Sequence, residues 1–118
     1  MTLKTASTIA ATAIVSVALL TAFNPRSARA ADDFSQLRFH AGAVEPANLD
    51  LPANTPVKLQ VTNAGDAAVE FESFELHRER VVQPGQTITV YLPALPPGTY
   101  PFFDDFSHGA VKGEIVSR

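Results

Sequence analysis

The sequence predicts an all-β domain, a Greek-key β-sandwich of 7–8 strands, on three observations. Short apolar segments alternate with polar residues at a period of two, the pattern of a half-buried strand. Clusters of Pro, Gly and Asn separate these segments, as turns do. After the N-terminal segment, the chain has no sustained apolar stripe of helical period. Short strands at this spacing are typical of an antiparallel Greek-key sandwich.

The N-terminal segment has the pattern of a signal peptide rather than of a folded element. Lys4 gives a positive start, residues 9–23 are apolar, and Ala28 and Ala30 are the small residues that a signal peptidase recognises. The sequence therefore predicts a signal peptide at 1–30, with cleavage before Ala31, and a domain at 31–118. No cysteine follows the apolar run to carry a lipid anchor. We expect an exported, periplasmic protein that does not span the membrane after cleavage.

The charge of the predicted domain is strongly acidic. Removal of residues 1–30 leaves 118 − 30 = 88 residues and lowers the number of basic residues from 9 to 6, while all 12 acidic residues remain. The net charge becomes 6 − 12 = −6, which argues against nucleic-acid binding. It favours cations or a basic partner surface, although plain solubility also favours acidic surfaces.

Alternation identifies the following strands in chain order. The predicted segments are Gln36–His40, Val57–Val61, Val69–Ser73, Thr87–Leu92, Tyr100–Phe103 and Glu114–Val116. Turns follow from sequences such as Asn63-Ala-Gly-Asp66 and Pro96-Pro-Gly98. The aromatic residues Phe102, Phe103 and Phe106 are expected to fill the core beneath the last loop.

The third predicted strand carries a group of acidic side chains. Glu70 and Glu72 share one face of an extended strand, about 6–7 Å apart, and Glu75 and Glu79 follow. Two like charges at this distance repel each other unless a cation lies between them. Carboxylates suit iron, manganese, calcium or magnesium, and Cu(II) when imidazole joins them. The alternative is a solvated face with Arg78 and Arg80 as counter-charges.

The last loop supplies further candidate ligands. Asp104, Asp105 and His108 lie within five residues, and two carboxylates with an imidazole converging on the glutamates predict a mixed oxygen and nitrogen metal site. The candidate ligands are therefore Glu70, Glu72, Glu75, Asp104, Asp105 and His108. The alternative for His108 is an exposed loop histidine.

The C-terminal stretch Gly98–Val116 resembles the copper-binding hairpin of a cupredoxin. Asp104 stands where the resemblance places the copper thiolate, and Val111 stands where it places the axial methionine. The chain has no cysteine, and its one methionine is Met1. Since a blue-copper centre needs a cysteine thiolate, blue-copper electron transfer is excluded.

A wider resemblance covers nearly the whole predicted domain. The segments Ala43–Ala53, Glu70-Phe-Glu-Ser73 and Leu95–Phe103 together resemble the EfeO-type cupredoxin-like domains. This resemblance implies a cupredoxin-like fold and a periplasmic component of an Ftr-type ferrous iron transport system. It also implies iron, copper or both as cofactors, with an inner-membrane iron permease and other periplasmic iron-uptake components as partners.

The resemblance carries the fold over well and the metal site only in part, and it leaves the activity open. Relatives have Phe-His where this chain has Phe106-Ser107-His108, so the histidine is displaced by one residue. Three interpretations remain: a ferroxidase-type site that oxidises iron for delivery to the permease, a redox-inert metal chaperone, and a β-sandwich that binds a protein partner through its acidic face.

Overall fold

The computed structural model describes residues 34–118, and their architecture is an all-β sandwich as predicted. The strands are β1 Phe34–His40, β2 Ala43–Glu45, β3 Asn48–Leu51, β4 Val57–Asn63, β5 Val69–Ser73, β6 Arg78–Val82, β7 Thr87–Leu92, β8 Gly98–Asp104 and β9 Lys112–Ser117. A 3₁₀ helix, Asp105–Ser107, follows β8. The predicted signal peptide, residues 1–30, lies outside the described residues and stays a prediction.

Two sheets form the sandwich. One has the strand order β2-β1-β4-β7, and the other has the order β3-β9-β8-β5-β6. The pairs β1 with β4 and β3 with β9 are parallel, and the other pairs are antiparallel. The five-stranded sheet is the one that carries the acidic segment, on β5. Within residues 34–118, no helix has the length and apolarity that a membrane crossing requires.

The described residues form nine strands, more than the periodicity identified. The segment Ala43–Leu51 contributes two of them, because Pro46 has no N–H to donate to a ladder and interrupts the segment. β2 before it joins the first sheet beside β1, and β3 after it joins the second sheet beside β9. β6 was also missed, because its central residues are charged or exposed and show no apolar face.

Three phenylalanines occupy the centre of the core between the sheets. Phe39, Phe71 and Phe102 are fully buried, and the Phe102 ring lies 6.5 Å from that of Phe39 and 5.4 Å from that of Phe71. The expected core position is confirmed for Phe102 and wrong for its two neighbours. Alternation along β8 turns Phe103 to the outer face, and Phe106, in the 3₁₀ helix, is half exposed.

Candidate metal site

Strand β5 places two glutamates on the outer face of the five-stranded sheet. Phe71 and Ser73 of this strand are buried in the interior, so the period of two turns Glu70 and Glu72 to the other side. β5 lies between β8 and β6, and side chains from both neighbours flank the glutamates. Glu70 is only 8% exposed even though it is on the outer face. The predicted common face of the two glutamates is therefore present.

The end of β8 brings a third carboxylate to the same place. The register pairs Glu72 with Phe103 and Phe71 with Asp104, so the next residue, Asp105, falls beside Glu70. One carboxylate oxygen from each of Glu70, Glu72 and Asp105 lies within 4.8 Å of the other two. We call these three side chains the carboxylate cluster. All three were predicted from the sequence, and a single cation can contact oxygens at this spacing.

Strand β6 adds a fourth acidic side chain at the edge of the cluster. Glu79 pairs directly with Glu72 across the antiparallel ladder, and it is exposed on the same face. Like charges in directly opposite positions destabilise a sheet. The sequence does not predict Glu79 at the site, because the residues of β6 show no alternation that would mark them as a strand.

The two nearby arginines do not neutralise the cluster. Arg78 pairs with Ser73 and Arg80 pairs with Phe71, and the side chains of Ser73 and Phe71 face inward. Both arginines therefore lie on the face of β6 opposite to that of Glu79. The Arg78 guanidinium donates to the Tyr91 carbonyl at 2.9 and 3.2 Å, and Arg80 donates to the backbone carbonyl of Glu79. The close contacts between basic and acidic side chains found among residues 34–118, His40 with Glu45 and Arg118 with Asp50, lie elsewhere. The sequence-based alternative, in which these arginines are counter-charges, does not describe this face.

Burial and mutual repulsion raise the pKa values of both β5 glutamates above the usual 4.5. For Glu70 the first cause is burial, followed by a side-chain hydrogen bond and repulsion with Glu79, and then by the charges of Asp105 and Glu72. For Glu72 the first cause is also burial, followed by Asp105 and Glu79. A bound cation would favour the ionised carboxylates and so lower the pKa values of both glutamates.

Asp104 is adjacent to the cluster but has a different set of contacts. It is 6% exposed, and its Oδ1 accepts hydrogen bonds from the backbone N–H of Glu70 at 2.8 Å and of Phe106 at 3.1 Å. The second of these bonds caps the 3₁₀ helix. Asp104 shares the inner face of the sheet with its register partner Phe71 and is not among the three grouped carboxylates.

The other two predicted ligands are exposed and lie outside the group. Glu75 is in the turn after β5. His108 ends the 3₁₀ helix with φ at 53°, and its N–H donates to the Asp105 carbonyl at 3.0 Å. The cluster therefore combines oxygen ligands, and no imidazole belongs to it among the described residues.

A separate cavity lies at the end of the sandwich, where the cupredoxin resemblance puts the copper ligands. Its volume is about 210 Å³. Asp104 and Val111 line it as the sequence comparison of the hairpin implies, together with His40, Ala68 and Val69. The carboxylate cluster is thus on the outer sheet face, next to this end but distinct from the cavity.

Comparisons with known proteins agree with the architecture. A family model described as Cupredoxin-like domain matches residues 12–117. "Uncharacterized protein RP394" of Rickettsia prowazekii (strain Madrid E) is 39% identical over 71 residues, which are 60% of this chain and 57% of that protein. The match thus spans little more than half of that relative.

Solved structures show the same fold at low sequence identity. The reduced auracyanin of Roseiflexus castenholzii has a TM-score of 0.59 and 13% identity, covering 73% of this chain and 97% of that one. A purple cupredoxin from Nitrosopumilus maritimus has a TM-score of 0.57 and 18% identity, covering 71% and 99% respectively. At these identities the likeness concerns the fold alone.

Proposed function

Because this chain belongs to the cupredoxin-like domain family, we propose that it binds a metal ion through the carboxylate cluster on its sheet face and not through a thiolate. The observation that carries the proposal is the convergence of Glu70, Glu72 and Asp105, whose oxygens lie within 4.8 Å of one another. Glu70 is nine-tenths buried, and none of the close contacts between basic and acidic side chains among the described residues involves it. A buried carboxylate in such a group is costly unless a cation compensates it.

Iron is the metal ion that we propose as the cargo of the site, and Cu(II) is the second candidate. Three carboxylates form a hard, anionic ligand set, which favours Fe(III) over Fe(II) and excludes the thiolate chemistry of blue copper. Copper is the second candidate because one of the structurally similar proteins, auracyanin A of Chloroflexus aurantiacus, is a "blue" copper protein. With no cysteine in the chain, copper here would have oxygen ligands and no intense blue colour.

The physiological role that we propose is accessory to ferrous iron uptake in the periplasm. The predicted signal peptide and the resemblance to EfeO-type domains support this placement. An inner-membrane iron permease and other periplasmic iron-uptake components are the proposed partners. The acidic sheet face is the surface from which iron would pass to them.

Turnover distinguishes two versions of this role. In the enzymatic version, the cluster binds Fe(II) and favours its oxidation by dioxygen, because the carboxylates stabilise the ferric product more strongly. In the redox-inert version, the protein is a metal chaperone. Oxygen uptake by the purified protein with Fe(II) separates them: catalytic consumption above the buffer rate supports a ferroxidase, and the buffer rate together with binding supports a chaperone.

Metal titration of wild-type protein and charge-neutral variants tests the binding itself. We expect Glu70→Gln and Glu72→Gln each to weaken the binding of Fe(III), Mn(II) or Cu(II). The matched control is Glu114→Gln, since Glu114 is an exposed glutamate on β9, separated from β5 by β8. Equal affinity in all four proteins would reject the cluster as the site. If the wild type binds none of the three metals, the third interpretation, a partner-binding sandwich, takes its place.

A further inference from the structure

We propose that Asp104 is a positioning residue of the carboxylate cluster, which holds the two segments that carry Glu70 and Asp105 against each other without contacting the metal. This inference rests on the proposed function, since it concerns the same site. It differs from the sequence-based expectation, in which Asp104 is itself a ligand. The positioning role rests on two hydrogen bonds of Asp104 Oδ1 and on the face of the sheet that Asp104 occupies.

Asp104 Oδ1 connects the loop after β8 to strand β5, whose residue Glu70 lies 34 positions before Asp104 in the chain. It accepts a hydrogen bond at 2.8 Å from the N–H of Glu70, which is itself a proposed metal ligand on β5. It also accepts a hydrogen bond at 3.1 Å from the N–H of Phe106, the residue that follows the loop ligand Asp105. Both donors are backbone N–H groups, so the two hydrogen bonds fix the backbone at Glu70 and next to Asp105. The side chains of these two ligands stay free to point outward.

These contacts occupy the acceptor positions that metal coordination by Oδ1 would need. A carboxylate oxygen has two lone-pair sites, and both have a donor here. Asp104 is also buried and shares the inner face of the sheet with its register partner Phe71, whereas Glu70 and Glu72 alternate to the outer face, where their oxygens meet that of Asp105. Outer-shell groups that orient metal ligands commonly change metal affinity on the order of 10–100-fold when they are mutated.

Substitution by asparagine and by alanine separates positioning from coordination. Asp104→Asn keeps an oxygen that can accept both N–H groups but removes the negative charge. Asp104→Ala removes the acceptor as well. Ser107→Ala is the matched control for loop stability, because Ser107 Oγ donates to the Asp104 carbonyl and accepts from the Val111 N–H, both within the same loop.

Mn(II) is the probe, and its affinity is measured by electron paramagnetic resonance of the free ion. We expect Asp104→Ala to weaken Mn(II) binding on the order of 10-fold or more. Asp104→Asn and Ser107→Ala should both stay much closer to the wild type. A loss with asparagine as large as with alanine would show that Asp104 acts through its charge, as a ligand, and would overturn the proposal.

A metal-free measurement keeps the inference testable if no metal binds. In the metal-free alanine variant, the amides of Glu70 and Phe106 should exchange hydrogen faster than in the wild type. The crystal structure of that variant should show the carboxylates of Glu70 and Asp105 farther apart than 4.8 Å, the wild-type limit. Unchanged exchange and unchanged separation would refute the positioning role. If the wild type binds none of Fe(III), Mn(II) and Cu(II), that result would instead refute the proposed function alone.

Discussion

Substitution of Asn63 tests how the fold delivers β5 and its glutamates to the site. Asn63 ends β4 and is completely buried. Its Nδ2 donates to the carbonyls of Ala67 at 2.8 Å and Val82 at 2.9 Å, and its Oδ1 accepts from the N–H of Gly65 at 2.9 Å. One side chain therefore holds the loop before β5 and fastens it to the end of β6.

The cost of Asn63→Ala follows from these three hydrogen bonds. Each contributes about 1 kcal/mol, so their loss destabilises the fold by about 3 kcal/mol before any cavity is counted. For a domain of this size that corresponds to a fall in Tm of about 12–24 °C. The reason is that two carbonyls and one N–H lose a side-chain partner in a buried or part-buried place.

The assay is urea unfolding of the predicted mature domain, followed by circular dichroism, with Asn48→Ala as the control. Asn48 is exposed at the start of β3, so removal of its side chain should change the free energy of unfolding little. We expect the Asn63 variant to unfold at a much lower urea concentration with an unchanged m-value. A loss of less than about 1 kcal/mol would contradict the argument, because it would be the value of a single ordinary hydrogen bond.

Two further predictions concern pH and packing. Because the pKa values of Glu70 and Glu72 are raised in the folded state, the metal-free protein should become more stable as the pH falls from above those values to about 4.5, their usual value. Urea unfolding with a chelator present should show this gain, and it should shrink when both glutamates are glutamine; a steady loss of stability over that range in both proteins would contradict it. Gly113→Ala should cost about 1–3 kcal/mol, because a Cβ there would lie 2.6 Å from Phe102 Cζ and closer still to a backbone carbonyl. Gly98→Ala, whose Cβ would lie 3.7 Å from the nearest atom, is the control in the same melt, and equal Tm values would refute the packing argument.

The sequence was most informative where alternation is strict. In β5, a buried Phe71 between two glutamates leaves one orientation for the strand, so the common face of Glu70 and Glu72 followed from periodicity. Asp105 was identified by residue type and by its place in the last loop. Its position beside Glu70 depends on the register between β5 and β8, which no local pattern contains.

Other features depended on long-range contacts that a local pattern does not report. Arg78 and Arg80 are close to the glutamates in sequence, but the pairing of β6 with β5 turns them to the other side. Phe106 has the composition of a core residue, yet the 3₁₀ helix leaves it half exposed. Asp104 was grouped with the ligands because of its charge, whereas its hydrogen bonds to two backbone N–H groups appear only when β8 meets β5.

The location of a bound metal ion decides whether the carboxylate cluster is the binding site. Crystals of the protein grown with Mn(II) allow the ion to be found by its anomalous scattering. We expect one ion on the outer face of the five-stranded sheet, within about 2.0–2.4 Å of oxygens from Glu70, Glu72 and Asp105. An ion in the cavity at the end of the sandwich, coordinated by Asp104 and His40, would contradict it, as would a fully loaded crystal with the carboxylate cluster empty.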